Sequence, residues 1–129
     1  MRMVKTLHEE AMDLAELADV AKLRGAAEKC SELLTQALEK AVVAADKIAS
    51  NLDAEPTRSI IHRSAASLAI ELGNFNEAER LLAVALAGEP PAEIAEELRD
   101  LFVQINLSSY FERRGLLLDM EQWKISKAS

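Results

Sequence analysis

Displaced by 48 residues, the chain repeats itself: Ala18 falls on Ala66, Ala21 on Ala69, Gly25 on Gly73, Leu33 on Leu81, Leu34 on Leu82, Ala37 on Ala85 and Leu38 on Leu86. Cys30 falls on Ala78, small on small. In each copy the apolar residues recur at steps of three and four, stop at a glycine and resume, which is the pattern of two helices joined by a tight turn. Small residues at the shared positions let paired helices approach closely. A hairpin of this size cannot bury its apolar face alone, so the repeat requires stacking on a neighbour. Composition agrees. Half of the 129 residues are hydrophobic, only 4% are aromatic, and the helix breakers are few, with Gly 4 and Pro 3. Alanine and leucine dominate, and both favour helix. A β-sandwich or barrel needs more turns and more β-branched strands. The length is that of one domain.

Five helices follow from the pattern. Thr6-Leu-His-Glu9 reads as a capping box that starts the first, with Leu7, Ala11, Leu14, Leu17, Ala18 and Ala21 inward and Gly25 as its stop. The second carries Ala27, Cys30, Leu33, Leu34, Ala37, Leu38, Ala41, Ala44 or Ala45, and Ile48. Ser50 to Pro56 is a loop. Thr57 caps the third helix, with Ile61, Ala65, Leu68, Ala69 and Leu72 inward and Gly73 after it. Asn74-Phe-Asn-Glu77 is a second box-like cap that opens the fourth, with Ala78, Leu81, Leu82, Ala85 and Leu86 inward. Gly88-Glu-Pro-Pro91 ends it and launches the fifth, which runs from Ala92 to about Asn106 with Ile94, Leu98, Leu101, Phe102 and Ile105 inward. Ser108 to Arg114 reads as a further short helix, and Leu116 to Ser129 follows neither period.

Charge and composition narrow the function. A net charge of -7 disfavours binding to nucleic acid, whose phosphates need a basic surface. The longest apolar run, Leu81 to Ala87, is far too short to cross a bilayer, so no membrane association is expected. The first ten residues turn acidic too early for a signal peptide. The single cysteine, Cys30, has no internal disulfide partner, and a cytoplasmic protein is the expectation.

The second unit resembles a tetratricopeptide repeat (TPR). The likeness rests on Gly73-Asn-Phe-Asn-Glu-Ala78, with Leu82, Ala85 and the closing Pro90 at the family spacing. Upstream, His62, Ala65, Ala66 and Ala69 stand where the family has Trp, Leu, Gly and Tyr. In the first unit Ala27 replaces the turn aromatic and Val42 replaces the proline, so its second helix continues. The chain as a whole also resembles bacterial TPR-like proteins with two hairpins and a capping helix, a likeness that implies no activity. The resemblance implies an all-α, right-handed TPR-like stack of two antiparallel helix hairpins plus a capping helix over residues 1–106. A C-terminal, aromatic-rich extension follows over 107–129. It also implies a concave face, lined by the first helix of each pair, that takes a peptide or a helix. That face carries Met12, Ala15, Glu16, Asp19 and Leu23 in unit one, and Ile60, Arg63, Ser67, Ile70 and Glu71 in unit two. Arg63 is suited to hold a partner carboxylate in a bidentate pair. Exposure without a partner, or cover by the chain's own tail, is the alternative for these residues.

Candidate chemistry is sparse. His8-Glu-Glu-Ala-Met12 shares two residues with the helical zinc-protease motif, but Met12 stands where the second histidine ligand is needed. Glu93, Glu96, Glu97 and Asp100 share one helix face, which reads as a solvated surface rather than a cation site. Cys30 sits at the small, packed position of the repeat. The stretch from His62 to Gly73 resembles the histidine phosphotransfer family, in which an exposed histidine is followed by a lysine three residues on and a glycine four on. Here those positions hold Ala65 and Ala66, with Arg58 and Arg63 as the nearby cations. That resemblance implies phosphotransfer-like signalling through His62, against the plainer reading of a partly buried histidine. No residue set has the arrangement of nucleophile, base and orienting group, so a non-enzymatic protein without cofactor or metal is expected.

The tail is distinctive. Phe102, Tyr110, Phe111 and Trp123, four of the five aromatics, lie in the last 28 residues with Leu116 to Leu118. Residues 106–129 sum to +1 and residues 1–105 to -8. Aromatics concentrate at interfaces. Phe102, Tyr110, Phe111, Leu116, Leu118 and Trp123 are therefore expected to dock the tail on its own body, to join a second copy as a homodimer or to join a partner. Two hairpins fall short of the three repeats usually needed for stability, so something must cover the open end.

Overall fold

The computed structural model describes residues 2–119 and 124–127. Five helices make up the body: α1 (Arg2–Leu23), α2 (Ala27–Ile48), α3 (Thr57–Glu71), α4 (Phe75–Leu86) and α5 (Ala92–Arg113). Two four-residue strands follow, β1 (Leu116–Asp119) and β2 (Lys124–Lys127). They pair antiparallel, Leu116 opposite Lys127 and Asp119 opposite Lys124. The body is all-α as composition requires, and the hairpin is an addition that periodicity did not reveal. Trp123 lies outside the described residues.

The two glycine turns are the same structure. Gly25 has φ +76° and Gly73 has φ +75°. Gly25 N–H donates to the Lys22 carbonyl at 3.0 Å and Ala26 N–H to Ala21 at 2.9 Å; Gly73 donates to Ile70 at 3.0 Å and Asn74 to Ala69 at 2.8 Å. Both pairs are the Schellman pattern, and the 48-residue shift carries one onto the other. The turns fold α1 against α2 and α3 against α4. Helix α2 also packs on α3, and α5 on both α4 and α3. The core is largely alanine: Ala11, Ala18, Ala37, Ala44, Ala45, Ala65, Ala66, Ala69, Ala78 and Ala85 are all buried. Ile48, Ile61, Leu81, Leu82 and Leu98 are its largest fully buried apolar side chains.

Several expectations are corrected. Helix α1 starts at Arg2, and Thr6 lies inside it, its hydroxyl donating to the Arg2 carbonyl at 3.0 Å instead of capping. Thr57 makes no cap either; the Glu55 carboxylate accepts from Ser59 N–H at 2.9 Å and from its hydroxyl. The Asn74 cap is present, its side chain accepting from Glu77 N–H at 3.4 Å. Helix α5 runs unbroken to Arg113, so residue 106 lies within it. Leu17, expected inward, is 55% exposed, because α1 packs chiefly on α2 and Leu17 lies away from that contact.

The junction between the hairpins is polar. Arg58 is 2% exposed. Its Nε donates to the Ala49 carbonyl at 2.8 Å, Nη2 to Val84 at 2.8 Å and Nη1 to Ala85 at 3.3 Å. One guanidinium thus satisfies carbonyls at the C-terminal ends of both α2 and α4, where helices leave acceptors unpaired and carry partial negative charge. Glu55 lies 4.0 Å away. A Cβ on Gly88 would sit 2.4 Å from Arg58 Nη1. Glycine is therefore needed there for room.

Two predictions follow from these contacts. Gly73→Ala and Gly25→Ala should each cost about 1–2 kcal/mol in urea unfolding from left-handed strain, and by similar amounts, since an added Cβ meets nothing within 4 Å at either site. Gly88→Ala should cost roughly 1–3 kcal/mol through the displaced guanidinium. In an Arg58→Met background it should cost much less. Additive losses across that double-mutant cycle would separate the two residues.

Candidate functional site

Two clefts receive part of the expected groove. The first, about 610 Å³, lies where the α1–α2 turn meets the end of α3 and is lined by Asp19, Lys22, Cys30, Leu34, Glu71 and Leu72 among others. Asp19 and Glu71 are thus brought together across the repeat, and the half-buried Cys30 lines this cleft. The second, about 350 Å³, has Ile70, Phe75 and Ile105 as its apolar surface and Asn76, Glu79 and Gln104 among its polar lining.

The other groove residues are dispersed. Met12 is half-buried, Glu16 is exposed and Leu23 is 88% exposed; Ser67 is half-buried. All four lie outside both clefts. Arg63 is paired within the chain. Its Nη1 meets Glu97 Oε2 on α5 at 2.5 Å, so its guanidinium ties α3 to α5. The same contact takes Glu97 out of the acidic face of α5. Among the described residues no group of three His, Cys, Asp or Glu side chains is placed to hold a metal ion. No described helix is long and apolar enough to cross a membrane.

His62 is enclosed. It is 1% exposed, and Nδ1–H donates to the Arg58 carbonyl at 2.8 Å. Nε2 is buried without a hydrogen-bond partner. Burial chiefly lowers its pKa below the ordinary 6.5. The Arg58 carbonyl and Asp46 pull the other way, and the Arg58 and Arg80 charges add to the depression. Above it, Arg80 bridges α4 to α2, reaching Asp46 at 3.1 Å and also pairing with Glu77. That pairing lowers the Glu77 carboxyl and raises the Arg80 guanidinium. Phosphotransfer between proteins needs an open ring nitrogen, and this one is shut inside the junction.

Of the tail residues, Phe102 and Phe111 are half-buried and Tyr110 is 42% exposed. Tyr110 and Phe111 meet edge to face, with centroids 5.5 Å apart, and the Arg114 guanidinium lies 4.0 Å over the Tyr110 ring. Leu116 and Leu118 are on β1, which lies against α5.

Arg58, Ser59 and His62 form a polar centre at the junction; a buried His62 was the plainer expectation, and the burial of Arg58 and Ser59 was not expected. A signal existed: Arg58, His62, Ala65 or Ala66, and Ala69 lie on one stripe of α3 at helical spacing.

No protein-family model matches this chain, and no curated protein or solved structure matches it either.

The buried imidazole makes stability pH-dependent. With its folded pKa below 6.5, the unfolded chain binds more protons, so His62 contributes stability that is present above about pH 6.5 and lost as pH falls. Urea midpoints should drop between pH 7.5 and 5.5, and His62→Leu should flatten that drop. His8 is also lowered by burial, so His8→Gln is the control. An unchanged drop in His62→Leu would place the acid sensitivity elsewhere.

Proposed function

We propose that this chain is a non-catalytic protein–protein interaction module, built as a right-handed TPR-like stack of two hairpins with α5 as the capping helix. The observation that carries this reading is the pair of superimposable Schellman turns at Gly25 and Gly73, joined to a shared pattern of small buried residues. They support a repeat architecture, and repeat stacks serve as binding surfaces. The first cleft is the binding site in this reading. Asp19 and Glu71 give it two carboxylates against one amine, Lys22, over Leu34 and Leu72. That chemistry suits a peptide or helix with a basic side chain between apolar ones. The acidic balance favours protein over nucleic acid, and the lone cysteine is in keeping with the cytoplasm. Phosphotransfer through His62 lacks an accessible acceptor and is not carried forward.

Self-association is a second reading, favoured by apolar side chains left open on α5, where Val103 is 49% exposed beside Tyr110.

A displayed library of helical and extended peptides tests the adaptor reading. Selected binders should be enriched in Lys or Arg. Asp19→Lys with Glu71→Lys should weaken them at least tenfold while helicity and unfolding midpoint are kept. Both residues are exposed, so the fold is expected to survive. Binding that ignores the double substitution would remove this cleft from the function.

A further inference from the structure

The 48-residue shift pairs a buried face of α3 with an open face of α1. Ile61, Ala65 and Leu68 are buried, and their counterparts Asp13, Leu17 and Val20 are exposed. The difference is one of neighbours. Each helix packs on its own hairpin partner, α1 on α2 and α3 on α4, but α3 is also covered by α2 and α5. Helix α1 therefore carries a repeat interface whose covering helix is not supplied within the described chain.

The other end of the array is open as well. From Arg99 on, the outer stripe of α5 runs Arg99, Val103, Tyr110 and Arg113 and continues into Arg114 just past its end, all exposed. A shallow depression of about 430 Å³ runs along it, lined by Phe102, Val103, Leu107 and Tyr110 among others. Over its middle the stripe on α1 has the opposite charge, with Arg2 and Lys5 in line with it only at the N-terminal end. Glu9, Asp13 and Glu16 are exposed around Leu17 and Val20, all within about a quarter to a third of the helix circumference at 3.6 residues per turn. Among the described residues, neither this acidic trio nor Arg99, Arg113 and Arg114 form an intrachain ion pair.

We infer that the open α1 face of one copy receives the open α5 face of a second copy, head to tail. This rests on the self-association reading and gives it a geometry. Two kinds of continuity support it. The contact extends an array in which every helix already packs on the next in sequence, and it sets acidic against basic around apolar centres. Such a contact is heterologous, so each copy keeps one free end and the assembly grows instead of stopping at a symmetric dimer.

Light scattering on the full chain, followed by mixing, tests this. The weight-average mass should rise with concentration above the 14.2 kDa of one chain. Leu17→Lys closes the α1 face and Val103→Glu closes the α5 face, so each variant alone should run as a monomer. Each retains the face that the other has lost, so an equimolar mixture should form a species of twice the single-chain mass. Should either variant lose its helical signal, Val20→Lys and Tyr110→Glu take their places. A wild-type chain that stays monomeric throughout removes self-association altogether. A wild-type dimer that Leu17→Lys leaves intact, or paired variants that do not combine, overturns the head-to-tail contact and keeps self-association on a symmetric interface.

Discussion

The Arg58 guanidinium holds the two hairpins in register. A buried cation is costly unless its donors are satisfied. Here three donors meet the Ala49, Val84 and Ala85 carbonyls, and Glu55 stands near. The acceptors belong to the ends of two helices from different repeats, so the arginine acts between units. It also explains neighbouring choices. Gly88 carries no side chain because the guanidinium fills the space a Cβ would need. Glu55 accepts from Ser59 and so fixes the first turn of α3, the helix that carries Arg58. His62, one turn further on, donates to the Arg58 carbonyl and is held neutral by the same enclosure. Surface pairs such as Lys40–Glu10 and Arg80–Asp46 add cross-links of smaller weight.

What was legible in the sequence was local or periodic. The turns at Gly25 and Gly73 could be read because left-handed backbone selects glycine, and the Asn74 cap because its acceptor lies three residues from its donor. The inward faces of α2, α3 and α4 follow from spacing. The failures have physical causes too. Thr6 has the composition of a cap, yet residues 2–5 are helical, so its hydroxyl bonds back into the preceding turn. Helix α5 continues past Asn106 because that side chain donates to the Phe102 carbonyl and no glycine or proline intervenes before Gly115. Arg58 looks like surface chemistry in sequence because charge normally means exposure, and His62 could be read as partly buried but not as part of a junction. Their burial depends on two helices arriving from elsewhere in the chain, which no local pattern encodes. The same holds for Arg63: its partner is Glu97, 34 residues away on α5, and nothing in either segment alone points to the other. Of the expected groove, only Asp19 and Glu71 come together in one cleft.

An alanine-rich core shapes what the molecule can do. Alanine brings helix axes close and loses little side-chain entropy, but each residue buries little area. Stability then rests on a few large side chains, such as Ile48, Ile61, Leu81, Leu82 and Leu98, and on the polar junction. Four of those five lie in α3, α4 and α5 or face them, so the second unit and its cap are the better-supported half. The first unit has α1 at its outer edge, packed chiefly on α2 among the described residues.

That imbalance bears on function. A repeat stack is quasi-one-dimensional, and its ends expose whatever the next unit would have covered. Terminal units in such stacks are commonly polar on their outer side. Here the outer side of α1 is polar only in part: Asp13 replaces the counterpart of Ile61, but Leu17 and Val20 keep apolar character where α3 has Ala65 and Leu68. Leu17 at 55% exposure and Val20 at 42% lie one turn apart, so they form a small contiguous apolar patch. The mixture of acid and apolar groups is what the proposed contact requires of α1. On α5 the same compromise is made with arginine and tyrosine, the guanidinium of Arg114 lying over the Tyr110 ring. Carboxylates thus surround Leu17 and Val20 on α1, and arginines flank Val103 and Tyr110 at the other end, an arrangement in which unlike charges favour the proposed head-to-tail contact over a symmetric one.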